Sequence, residues 1–81
     1  MWCVYILLCK NDSLYTGISN DVNQRFADHK NGKGGRYTRS HKPVKLIYQE
    51  NCKTKSGALK REREIKSWNR QKKIKNLNLN F

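Results

Sequence analysis

Residues 2–19 read WCVYILLCKNDSLYTGIS, two apolar runs joined by a short polar one. Trp2 to Cys9 is continuously apolar and carries β-branched Val4 and Ile6, the pattern of a central strand covered on both faces. Leu14 to Ser19 reads as its hairpin partner. Between them Asn11, Asp12 and Ser13 tolerate turn geometry and bond their own backbone. Because strand side chains alternate with a period of two, Tyr5 and Tyr15 share a face only if the loop holds an odd number of residues. That predicts either a three-residue loop at Asn11 to Ser13, with Cys9 opposite Tyr15, or its five-residue equivalent.

The next segment reads as a helix from Asp21 to about Lys30. Arg25 and His29 lie four residues apart on it, and apolar Val22 and Phe26 share their face. A guanidinium and an imidazole turned toward a sheet carry a desolvation cost, so they need partners there, and a phosphate is a natural one. Gly32, Gly34 and Gly35 then break the pattern, and Pro43 marks entry into a third strand, Val44 to Gln49. Between them runs a flexible basic loop. Lys30, Lys33, Arg36, Arg39, Lys42 and Lys45 recur at every third position with Tyr37 and His41 interleaved, a surface suited to phosphates and one stacked base. The plain alternative is a solvated lysine-rich loop.

A second helix is expected from its N-cap Thr54 to Trp68. Its apolar stripe is Ala58, Leu59, Ile65 and Trp68, with Lys60, Arg61, Arg63 and Lys66 facing solvent and Glu64 on the outer face. The stripe demands one more inward residue, and the chain places Glu62 there. A carboxylate in that position either pairs with Arg25, caps a buried network, or binds a hard divalent cation such as Mg²⁺ or Mn²⁺. A short basic helix from Arg70 to Asn78, with Ile74, Leu77 and Leu79 inward, closes the core.

Composition bounds these readings. At 81 residues the chain is a single domain, 1–81, with one modest core. Its 18 Lys+Arg against 6 Asp+Glu give a net charge of +12, which calls for a polyanionic partner, nucleic acid first. A membrane surface would want a basic amphipathic helix with a bulky apolar face or a lipidation signal, and neither is evident. The opening run is too short to span a bilayer and lacks a charged leader, so a cytoplasmic location is expected. Cys3, Cys9 and Cys52 are odd in number and show no CxxC pairing, which argues for buried thiols over a disulfide framework or a zinc site.

Val4-Tyr5-Ile6, Tyr15-Thr16-Gly17, Arg25-x-x-x-His29 and Glu62 in a later helix resemble, in order and spacing, the GIY-YIG nuclease domain. The likeness spans nearly the whole chain. It extends to the small stand-alone bacterial members through Gly35-Arg36-Tyr37-Thr38-Arg39, through Pro43-Val44 with Leu46-Ile47-Tyr48, and through Arg61-Glu62 with Lys66 and Trp68. The resemblance implies an α+β fold, a three-stranded, mostly antiparallel sheet flanked by helices in the order β-β-α-β-α-α, and metal-dependent cleavage of phosphodiesters. It assigns Glu62 as the sole protein ligand of one Mg²⁺ or Mn²⁺, Arg25 as the phosphate clamp, and Tyr5 as general base, with Tyr15 and His29 orienting water or relaying its proton. Nucleic-acid contacts fall to Lys33, Arg36, Tyr37, Arg39, Lys42, Lys66 and Arg70, with DNA the expected partner over RNA.

The chain departs from the family pattern at several points. Cys3 replaces the first glycine, Thr16 the middle isoleucine of the second motif, and Ile18 a lysine of some repair members. Asn69 is the nearest residue to an asparagine that follows the glutamate in several nucleases. Related enzymes often carry an attached DNA-binding module, so a protein partner supplying target specificity is expected here. The competing function is a nucleic-acid-binding module without turnover. Residue by residue there are plainer roles too: strand tyrosines as core packing, His29 and His41 as satisfied or exposed histidines, Gly17 as a point of strand bending, and Trp68 as a core anchor.

Overall fold

The computed structural model describes all residues 1–81. In chain order it contains β1 (Trp2–Cys9), β2 (Leu14–Ser19), α1 (Val22–Lys30), α2 (Arg36–Ser40), β3 (Pro43–Cys52), α3 (Lys55–Lys66) and α4 (Arg70–Asn76). The three strands form one antiparallel sheet in the order β2-β1-β3. The most apolar strand therefore sits in the middle, as its composition demands. Its alternate residues feed two separate cores. Val4 and Ile6 pack with Ala58, Ile65 and Leu77 of the last two helices, while Cys3, Tyr5 and Leu7 pack with Val22 of α1.

The hairpin takes the longer of its two odd loops. Leu8 pairs with Leu14 and Leu7 with Tyr15, leaving residues 9–13 to turn the chain, and Cys9 does not face Tyr15. A bond from the Cys9 N–H to the Ser13 carbonyl at 3.0 Å tightens the turn, and Asp12 takes the left-handed conformation it needs at φ 66°. The parity is preserved. Tyr5 stands opposite Gly17, and both tyrosines rise from the same face.

Three boundaries differ from the sequence reading. Residues 31–42 are not loop throughout, because α2 forms within them after Gly35, whose φ of 138° suits glycine. The element order is thus β-β-α-α-β-α-α. β3 runs on past Gln49 to Cys52, since polar Glu50 and Asn51 still pair with Val4 and Cys3 while one side of this edge strand stays wet. α3 stops at Lys66, two residues before Trp68, and α4 stops at Asn76.

Capping explains where the helices begin. The Asp21 carboxylate accepts from the Gln24 N–H at 3.1 Å, and Thr54 Oγ1 accepts from the Gly57 N–H at 3.0 Å. Asn69 does the same for Lys72 at 2.8 Å, so its side chain caps α4. Two side chains fall elsewhere than the stripe suggested. Leu59 is 42% exposed, and Arg61 is half-buried, bridging Glu50 and Glu64. Cys3 and Cys9 are buried free thiols, whereas Cys52 is partly exposed.

The inward and outward positions of α3 are separable by stability. Ile65→Ala is expected to cost about 2–5 kcal/mol in denaturant unfolding, and Leu59→Ala to stay within about 0.5 kcal/mol of wild type. Equal losses would contradict the helix orientation.

Candidate active site

The centre of the site is a hydrogen bond between two side chains packed almost wholly inside the protein. Tyr5 Oη and His29 Nε2 lie 2.9 Å apart, and the residues are 1% and 0% exposed. Each partner needs a glycine to get there. A Cβ at Gly17 would come within 2.6 Å of the Tyr5 hydroxyl, and one at Gly34 within 2.0 Å of His29 Nδ1. Gly17 leaves the tyrosine room to lie across the edge strand β2, and Gly34 lets the chain after α1 pass over the imidazole.

The second ring nitrogen is also held. His29 Nδ1 is 2.7 Å from Thr38 Oγ1 on α2, and that hydroxyl is 3.5 Å from the Gly35 carbonyl. One proton arrangement satisfies every atom: Tyr5 O–H donates to Nε2, Nδ1–H donates to Thr38, and Thr38 donates to Gly35. It requires a neutral imidazole. Burial, followed by the Arg25 charge, holds the histidine pKa below its ordinary value, with Asp28 opposing.

Burial also acts on the phenol. It pushes Tyr5 up to about 12, with neighbouring Tyr15 and the more distant Glu62 charge adding to the rise and Arg25 opposing it. Arg25 itself is anchored through Nη2 to the Gly34 carbonyl at 3.0 Å. Tyr15 completes the cluster, its ring centroid 5.0 Å from His29 edge-on and 6.4 Å from Tyr5. Four residues from β1, β2 and α1 are therefore gathered at one place.

Glu62 approaches from α3, which packs on the other face of the sheet and contacts β2 as well as β1. Its side chain is 18% exposed, and its partner is Lys66 at 3.3 Å rather than Arg25. That pair is an i,i+4 contact with the lysine half in solvent, worth about 0.3–0.5 kcal/mol, so it holds the carboxylate only weakly. No group of three or more His, Cys, Asp or Glu side chains forms a metal cage anywhere in the chain. One carboxylate suits a hard divalent ion that keeps its waters and shares substrate phosphate oxygens, and does not suit a closed zinc site.

The basic residues divide into two groups. Lys33, Arg36, Arg39 and Lys42 are all exposed along the segment that holds α2. Lys66 and Arg70 belong to the other side, where Arg70 donates to the Asp12 carbonyl across the hairpin turn. Tyr37 is 40% exposed and stacks near-parallel with Tyr15, at 6.0 Å and 22°. Thr38, Gly34 and Lys73 were not legible as site residues. Thr38 and Gly34 read as loop, and Lys73 is one of many lysines until α4 is packed.

A small α+β domain with this tyrosine, histidine and arginine cluster has the build of a nuclease-type domain. The chain belongs to the GIY-YIG family: the family model described as the GIY-YIG catalytic domain matches residues 1–76. Its relatives are UPF0213 proteins, a small group within that family. A UPF0213 protein of Staphylococcus epidermidis is 57% identical over 72 residues, covering 89% of this chain and 88% of its own length. One from Staphylococcus saprophyticus is 54% identical over the same share. The solution NMR structure of a UPF0213 protein from Bacillus halodurans is similar at a TM-score of 0.61 and 39% identity, over 96% of this chain and 84% of that one. The family implies nucleic-acid binding and nuclease-type function, and its nucleases generally use divalent metal ions. No helix is long and apolar enough to cross a membrane.

The raised Tyr5 pKa has a testable sign. The unfolded chain loses this proton near 10 and the folded one near 12, so the stability it contributes is complete below pH 10 and is lost as pH rises through that window. Tyrosinate absorbance is expected to show two late-titrating phenols, Tyr5 and Tyr48, the latter raised by burial and the Glu50 carboxylate, and Tyr5→Phe is expected to remove one of them. A wild-type titration with no late component would rule out the burial described.

Proposed function

We propose that this chain is a metal-dependent endonuclease acting on phosphodiester bonds, DNA before RNA, with Tyr5, Tyr15, Arg25 and His29 at the reaction centre and Glu62 as the protein ligand of Mg²⁺ or Mn²⁺. The observation that carries this reading is the buried Tyr5–His29–Thr38 chain of hydrogen bonds beside a guanidinium.

A tyrosine with a pKa near 12 is a poor source of phenolate at neutral pH. The hydrogen-bond chain removes the need for one. As the Tyr5 oxygen takes a proton from the attacking water, its own proton passes to His29 Nε2, so the phenol stays neutral while the imidazole becomes charged. Thr38 keeps the ring turned the right way by holding Nδ1–H. Tyr15, packed edge-on against His29, walls the water's approach and orients it.

Negative charge grows on the non-bridging phosphate oxygens as the new bond forms, and the leaving oxygen departs opposite the water. Arg25 stabilises that charge, with its guanidinium held beforehand by Gly34. Glu62 would hold a divalent cation, whose charge would further stabilise the phosphate and the leaving alkoxide. The exposed cations on α2 and on the segments flanking it hold the rest of the strand, consistent with the +12 net charge. A binding module without turnover remains the competing reading, and only cleavage separates the two.

A nicking assay on plasmid and branched DNA with Mg²⁺ or Mn²⁺ tests this. Tyr5→Phe is expected to lower kcat by about 10²–10⁴-fold, and Glu62→Ala to abolish metal-dependent cleavage while binding persists. Equal low activity in all three proteins would leave the binding module. A second expectation concerns pH. Because His29 must accept a proton, cleavage should fall only on acidification below the ordinary histidine range near 6.5. An acid limb centred above that value would exclude His29 as the acceptor.

A further inference from the structure

Beside the reaction centre lies an open hollow of about 260 Å³ that no step above employs. It is lined by the rings of Tyr15 and Tyr37, by Leu14 and Thr16, and by Lys66 and Lys73. We infer that this hollow is a subsite for one unpaired nucleotide of the bound strand, its base packed on the Tyr15–Tyr37 rings and its phosphate between Lys66 and Lys73.

Three observations carry the inference. The aromatic wall is built and not merely present: His41 stacks on Tyr37 at 4.7 Å and 25°, while Tyr15, near-parallel at 6.0 Å and 22°, is too far away for full overlap and leaves part of the Tyr37 ring open to a base. Tyr37 keeps 40% of its surface exposed despite this support. An exposed, pre-oriented ring is the means by which proteins take up bases without reading sequence.

The lysine wall is anionophilic. Lys73 takes part in none of the ion pairs of the molecule, and its only polar contact is with Thr16 Oγ1 at 3.5 Å. Burial and the neighbouring Lys66 charge push its pKa down, the mark of an ammonium that lacks an anion. A phosphate relieves both costs.

The third observation is topological. Tyr37 is adjacent in sequence to Thr38, which holds His29 at 2.7 Å. A base seated on Tyr37 therefore bears on the same short helix that orients the imidazole. A base inside a duplex has both faces covered by its neighbours, so only an unstacked nucleotide reaches the wall. The subsite thus favours single strands, flaps and gaps over continuous duplex. It rests on the nucleic-acid reading of the site but not on turnover.

The test uses the full chain in EDTA, where no cleavage occurs. Affinities are measured for single-stranded DNA, single-stranded RNA and a duplex of equal length, each carrying a fluorescent adenine analogue whose emission is quenched by stacking. Single strands are expected to bind more tightly than duplex and to be quenched. Tyr37→Ala should weaken single-strand binding by roughly 5- to 100-fold and abolish the quench, with little change on duplex, while Tyr37→Phe retains both. Lys73→Gln should reduce the log–log salt slope on single strands by about 0.7. The DNA and RNA arms show which sugar is accepted. Equal losses on single strand and duplex, an unchanged quench in Tyr37→Ala, or duplex preferred by wild type would overturn the subsite. The nicking assay with Mg²⁺ or Mn²⁺, run alongside, separates the two proposals: single-strand preference without any wild-type nicking leaves the subsite standing and ends the endonuclease reading. Nicking without that preference does the reverse.

Discussion

The hydrogen bond between Tyr5 and His29 is the constraint around which the rest is arranged. Two polar side chains meet where little solvent enters, and an unpartnered group there would cost about 1–3 kcal/mol. The sheet, α1 and the segment after it are accordingly fitted to them. Gly17 and Gly34 make the space, Thr38 satisfies the second ring nitrogen, and no buried side-chain polar atom lacks a partner. The same burial that demands these bonds keeps the phenol protonated and the imidazole neutral, which is the protonation pattern a proton relay requires.

The charge distribution complements this buried centre. Most of the cationic side chains stay in solvent, where they cost little to fold and remain able to meet phosphates. The few acidic groups are mostly spent on structure: Glu50 and Glu64 hold Arg61, Asp21 caps α1, and Asp28 accepts from Gln24. Glu62 differs in being tied only to a half-exposed lysine on its own helix. Neither the Glu62 carboxylate nor the Arg25 guanidinium is locked in a strong ion pair, so both stay available to a ligand.

Much of this was legible in the linear order where the governing physics is local. The odd loop parity that puts Tyr5 and Tyr15 on one face follows from strand alternation, and the starts of α1 and α3 follow from the capping chemistry of Asp21 and Thr54. Glu62 stood out because a carboxylate interrupts an apolar stripe. The loop choice itself was not decided by parity. It is settled by closure of the turn through Cys9 and Ser13, and by β1 aligning simultaneously with β2 and β3. Leu59 was misplaced because helical spacing alone assigns a broad apolar face, whereas contact with the sheet selects a narrower one.

The amino-acid order by itself determined every element but α2, the need for a polyanionic partner and the types of side chain available for chemistry, because propensity, period and net charge act within a few residues or on the whole chain at once. Tertiary structure alone decided which of those side chains meet. Thr38 becomes the support of His29, Gly34 its clearance and Lys73 part of a hollow only when α2 and α4 settle against the sheet. Contacts of that kind depend on how separate elements pack, even where, as for His29 and Thr38, the residues are only nine positions apart, and no local pattern encodes them.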